Sequence, residues 1–178
     1  MNGNEMLELL SGQYQIQKVI EMNQITERFG LALTQEDAKM LVEGRKISLQ
    51  EQRRVEFGEG IMTKLILTFC DSQYIYQENY AETMGRLQEI FYMYKNEMLD
   101  EISDDELLHL MKEQYEEICF GDLEYLESTC LSNFAQAIRA GYGGYKASDG
   151  YGEYHKFDEV MRWDYGLYLE TLRELCWS

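Results

Sequence analysis

Two histidines, four cysteines and 33 carboxylates set the limits of what this chain could do chemically. Glu106-Leu107-Leu108-His109 places an acid and an imidazole three positions apart, on one face of a helix. Helical di-iron bundles use that spacing, but they need a second copy and two further inward glutamates. The other histidine, His155, has Glu153 two positions before it, the wrong interval. Glu106 also follows Ser103 by three, where a capping box would employ it. No serine or cysteine has a recognisable histidine partner in sequence. The expectation is therefore no metal site, no cofactor and no assigned catalytic residue, and the chain reads more readily as a non-enzyme.

Three other segments could bind rather than react. Residues 97–127 carry 12 acids against one base, Lys112. A calcium loop alternates oxygen ligands around a sharp glycine turn. Asp100-Glu101-Ile102-Ser103-Asp104-Asp105 lacks that glycine and reads as a helix, a cap and another helix. Residues 34–56 have the outline of a helix-turn-helix, with Gly44 to Ser48 as its turn. Its bases (Lys39, Arg45, Lys46, Arg53, Arg54) are offset by Glu36, Asp37, Glu43 and Glu51, whereas a DNA reader shows a basic footprint. The stretch Gly141 to Tyr154 is rich in glycine and tyrosine. Tyr142, Tyr145, Tyr151 and Tyr154 offer flat faces and hydroxyls, and Lys146 a positive charge, which makes these five the candidate binding residues. The phosphate-cradling pattern needs Gly-Lys-[Ser/Thr] after a strand, and here a tyrosine precedes the lysine. Tyrosine-rich surfaces favour protein contacts instead.

The elements that must position these residues are helices. Proline is absent from all 178 residues, where average usage of about 5% would supply roughly nine. Proline breaks helix interiors, so its absence fits helices joined by short links. Glycines punctuate instead: Gly12 ends a first helix (about 4–10), Gly30 a second (14–28), Gly44 a third capped by Thr34. Ser48 with Glu51 opens a fourth. The fifth (59–71) is apolar nearly all round, as central helices are. In the sixth, Tyr80, Met84, Leu87, Phe91, Tyr94 and Met98 recur at intervals of three and four, one unbroken seam. Ser103 with Glu106 opens a seventh, with Leu107, Met111 and Ile118 facing inward. Asp122 caps the next, whose stripe is Leu123, Leu126, Cys130, Phe134 and Ala137. A last helix covers about 156–176. The fold class is all-α: a single domain, residues 1–178, built as an irregular or orthogonal bundle of seven to eight helices. The Gly/Tyr-rich loop, residues 140–155, comes before its last helix.

Charge and location follow from composition. The net charge is −17, a field that repels nucleic-acid phosphates and anionic membranes and favours cationic partners. Cys70, Cys119, Cys130 and Cys176 include no CxxC pair and stand beside apolar residues, which predicts buried thiols in a reducing compartment. The start, Met1-Asn2-Gly3-Asn4-Glu5, has no basic segment or apolar run of a signal peptide. The longest nearly apolar stretch, residues 61–70, contains Lys64 and is too short to span a bilayer. A cytoplasmic protein is expected.

The runs Phe29-Gly30-Leu31-Ala32-Leu33-Thr34, Arg54-Val55-Glu56-Phe57-Gly58 and Phe69-Cys70-Asp71-Ser72 resemble a small uncharacterised family of acidic helical proteins. So do Leu87-Gln88-Glu89-Ile90-Phe91, Ser103-Asp104-Asp105-Glu106-Leu107 and Leu123-Glu124-Tyr125-Leu126. The family is found in clostridia and related Gram-positive bacteria, and the likeness covers the chain from about residue 10 onward. It implies a bacterial cytoplasmic protein and carries no activity, cofactor or site residue. The functional expectation is a non-catalytic interaction protein docking a protein partner, with basic character, through its acidic surface and the Gly/Tyr loop. The alternatives are an enzyme or small-molecule binder with a carboxylate-lined pocket, and an acidic inhibitor that mimics DNA.

Overall fold

The computed structural model describes residues 2–141. Among them all regular structure is helical, with no strand, and six helices have eight residues or more. These are α1 Gly3–Glu21, α2 Gln35–Gln52, α3 Met62–Phe69, α4 Gln77–Glu97, α5 Asp104–Glu117 and α6 Leu131–Arg139. Short helical turns fill two corners: Asn23–Thr26 with Glu27–Phe29, and Leu123–Tyr125 with the π-turn Leu126–Cys130. Among the described residues the all-α class holds, with six helices of eight residues or more where seven to eight were expected over the whole chain. The expected last helix lies outside the described residues.

The count falls because two glycines expected to end helices do not. Gly12 sits inside α1 and Gly44 inside α2. A helical glycine costs about 1 kcal/mol relative to alanine, less than a long helix gains by keeping its ladder and its packing. The helix-turn-helix outline disappears with this, since residues 35–52 are one rod. Ser48 is no cap either; it is buried in the interior of α2. Thr34, Ser103 and Asp122 do cap as their types dictate, each accepting a backbone N–H three residues on. Thr34 and Ser103 form full capping boxes with Asp37 and Glu106, satisfying donors the first turn would otherwise orphan.

Contacts divide the chain into two units, Met1–Met93 and Tyr94–Ser178, with the boundary inside α4. In the first, α1 packs on α2 and α3. Ile61, Met62, Leu65, Ile66 and Phe69 are all buried, but Leu67 is 48% exposed, so this helix is covered on most of its sides and not all round. Two side-chain amides hold the extended link before α2 the way a neighbouring strand would. Asn23 accepts from the Leu33 N–H at 2.8 Å and donates to its carbonyl at 2.9 Å. Gln77 does the same for Ala32, at 2.8 and 2.9 Å. Gln88, wholly buried, donates to the Leu41 carbonyl of α2 at 3.0 Å.

In the second unit the core is built on Leu107, Leu110, Met111, Leu126, Leu131 and Phe134. Lys95 is buried and anchors the link between α4 and α5, donating to the Ile102 carbonyl and pairing with Asp104 at 2.9 Å. Arg139 of α6 pairs with Glu97 at 2.7 Å. All six seam residues of α4 and its end, from Tyr80 to Met98, are buried, as their spacing demanded.

Candidate docking site

In α1, Asn2 and Glu5 form a capping box that starts the helix two residues into the chain. Of its nineteen residues only Val19 is buried. Met6, Leu7, Leu10 and Tyr14 stand 46%, 66%, 53% and 54% exposed. Met6 and Leu7 are adjacent, and Leu10 and Tyr14 follow at intervals of three and four, so the four share one side of the helix. Four large apolar side chains in one stripe are more than the isolated exposed leucine that any surface tolerates. Beside the stripe, α1 and α2 enclose a groove of about 630 Å³ with Leu9, Ile16 and Val42 as its apolar lining. Glu5, Glu8 and Glu43 supply negative charge at its walls, and Lys39 and Lys46 positive charge.

A partly buried polar cluster reaches α1 at Gln15, in its C-terminal half. Arg45 of α2, 4% exposed, points Nε and Nη2 at Glu56 Oε1, at 3.0 and 2.9 Å. Its Nη1 donates to Gln15 of α1 at 3.2 Å. The Tyr92 hydroxyl of α4 donates to the same Glu56 oxygen at 2.5 Å. A buried guanidinium needs such pairing, because an unpaired charge away from water is costly. Burial pushes the Tyr92 hydroxyl well above the usual tyrosine range, and the Glu56 carboxylate pushes the same way. Gly60, at φ 57°, makes room for the carboxylate. A methyl group there would lie 1.7 Å from Glu56 Oε1 and 2.9 Å from Arg45 Nη2. The guanidinium, carboxylate and phenol of the cluster face one another, so its chemistry is cohesion.

The predicted binding residues Tyr142, Tyr145, Lys146, Tyr151 and Tyr154 lie outside the described residues. Glu106 and His109 are engaged locally: Glu106 closes the Ser103 capping box, and His109 Nδ1 lies 2.7 Å from the Asp105 carbonyl. Cys70, Cys119 and Cys130 are all buried, as predicted. Sequence reading missed the α1 stripe by ending a helix at Gly12, which separated Tyr14 from Met6, Leu7 and Leu10. The signal was present in the Asn2-to-Glu5 spacing. The Arg45–Glu56–Tyr92 cluster joins residues 11 and 36 positions apart, and no local pattern announces it.

Described residues that are all helical in their regular structure, with an exposed apolar stripe on the first helix and a partly buried ionic cluster, define a class of architecture, not an activity. The chain belongs to a protein family described as a family of unknown function (DUF6323), matched over residues 18–144. The Arg45–Glu56–Tyr92 cluster falls inside that span, and the exposed stripe of α1 precedes it. Neither the curated proteins nor the solved structures contain a match. Among the described residues no helix is long and apolar enough to cross a membrane.

Proposed function

We propose that this protein is a non-catalytic interaction module that docks a helical protein partner along α1. The single observation behind this reading is the apolar stripe Met6–Leu7–Leu10–Tyr14, exposed on a helix whose other side is held by Val19 and by the Gln15–Arg45 hydrogen bond. Covering such a stripe removes apolar surface from water, worth about 25 cal/mol per Å² before association costs. The occupant that fits is an amphipathic helix laid alongside, read at intervals of three and four. Glu5 and Glu8 next to the stripe, together with the net charge of −17, favour one flanked by lysine or arginine.

The test compares proteins captured from native lysate by the wild-type chain and by Leu7→Glu/Leu10→Glu. Both side chains are exposed, so the variant should melt with the wild type. A stoichiometric protein partner should be depleted about tenfold or more, since losing apolar anchors costs at least about 1.4 kcal/mol. Added salt should weaken capture as well. Identical captures from both chains, or a small molecule recovered in place of a protein, would overturn the reading.

A further inference from the structure

The thiols of Cys119 and Cys130 lie 3.6 Å apart, sulfur to sulfur, with both residues buried. We propose that they form a reversible dithiol–disulfide site, oxidised by a hydroperoxide. A disulfide needs sulfurs about 2.05 Å apart, so the pair must close by roughly 1.6 Å, and both cysteines sit where the backbone can give. Cys119 follows the C-terminus of α5 and precedes two left-handed residues, Phe120 at φ 48° and Gly121 at φ 84°. Cys130 ends the π-turn Leu126–Cys130. A π-turn holds one residue more than an α-turn, a local slack found often at functional sites. A left-handed phenylalanine is strained by its own Cβ, so this corner already departs from regular helix.

Cys119 is 6% exposed and Cys130 fully buried. Phe120, next to Cys119, is exposed, so the approach from solvent is on the Cys119 side. Cys119 therefore attacks first: its thiolate takes the distal oxygen of the hydroperoxide, the O–O bond breaks, and the leaving oxygen departs as an alcohol or as water. The sulfenic acid left on Cys119 is then displaced by the Cys130 sulfur, which expels water as the S–S bond forms. Two thiol hydrogens and two electrons leave the protein, and the peroxide is reduced by two electrons. A dithiol reductant reverses the step. The bond would tie the end of α5 to the start of α6 through a short closed loop, with the strongest effect on opening of that corner.

The full-length protein, freshly reduced, would be treated with hydrogen peroxide in native buffer, blocked with N-ethylmaleimide and mapped by non-reducing proteolysis. The expected product is one intramolecular crosslink joining the Cys119 and Cys130 peptides, with the mass of two hydrogens lost and removed by dithiothreitol. In Cys130→Ser the crosslink should vanish, and dimedone should label Cys119. Should that variant fail to fold, Cys130→Ala with the same dimedone readout replaces it. Recovery of Cys119 and Cys130 as maleimide adducts after Cys70 or Cys176 has been oxidised overturns the proposal. So does a crosslink from Cys119 to either of those residues.

Discussion

The Arg45–Glu56 pair illustrates how much rests on one carboxylate. Glu56 accepts from Arg45 and Tyr92 on a single oxygen, so Glu56→Gln removes the charge that balances a buried guanidinium. Removing one partner of such a pair costs about 3–5 kcal/mol, and the partial exposure of Glu56 argues for about 3 kcal/mol. A urea titration showing a loss of only a small fraction of that would mean the guanidinium finds water instead. Tyrosine burial sets a pH limit of its own. Burial pushes the Tyr80 hydroxyl up to about 12 and raises that of Tyr92 also. In the unfolded chain both ionise near about 10. Above that pH the unfolded state gives up protons that the native state keeps, so stability falls as pH rises. The contribution of Tyr80 is complete below about pH 10 and is lost on the way to about pH 12. Melting temperature should be flat up to about pH 9.5 and then drop, and Tyr80→Phe should make the drop shallower. An unchanged slope in the variant would show that other groups control it.

At the scale of the element, glycine substitutions separate helix interior from packed corner. Gly12 and Gly85 lie inside α1 and α4, and a methyl group at either meets nothing within 4 Å. Alanine at each should stabilise by about 0.5–1 kcal/mol, by helix propensity alone. Gly60→Ala should destabilise, because the added carbon collides with the Glu56 carboxylate in a left-handed backbone. Loss of about 2 kcal/mol or more is expected from the displaced ion pair. Chemical denaturation of the three variants side by side checks the signs, and a stabilised Gly60→Ala would show that the cluster rearranges at little cost. The helix boundaries were legible wherever a cap acts locally, as at Thr34, Ser103 and Asp122. They were misread at Gly12 and Gly44, where a propensity difference of about 1 kcal/mol is smaller than the loss from breaking a continuous helical ladder.

Across the whole molecule, charge acts over the longest range. A net charge of −17 on 178 residues strains the folded state through self-repulsion. Raising salt from about 0.01 to about 0.5 M shortens the screening length from about 30 Å to well under 10 Å. The melting temperature should rise by about 3 °C, the equivalent of about 1 kcal/mol for a chain of this size. A melting temperature that falls with salt would assign more stability to the ion pairs Arg45–Glu56, Lys95–Asp104 and Arg139–Glu97 than to relief of repulsion. The candidate docking stripe was half legible from sequence: the types and spacing of Met6, Leu7, Leu10 and Tyr14 were visible, but their exposure was not. An apolar stripe in sequence says that a face seeks cover and leaves open whether the fold supplies it.

By itself the sequence determined the helical class of the described residues, three of their caps, the buried seam of α4 and the acidity of the whole. These are set by sterics, hydrogen bonds and periodicity acting over three or four neighbouring residues, and by a simple sum of charges. Only the tertiary structure decided that Glu56, Tyr92 and Gln15 would converge on Arg45, that Cys119 would meet Cys130, and that α1 would be left uncovered along its apolar face. Those outcomes depend on which distant segments exclude water from one another, and that is settled when the chain packs, not when a helix forms.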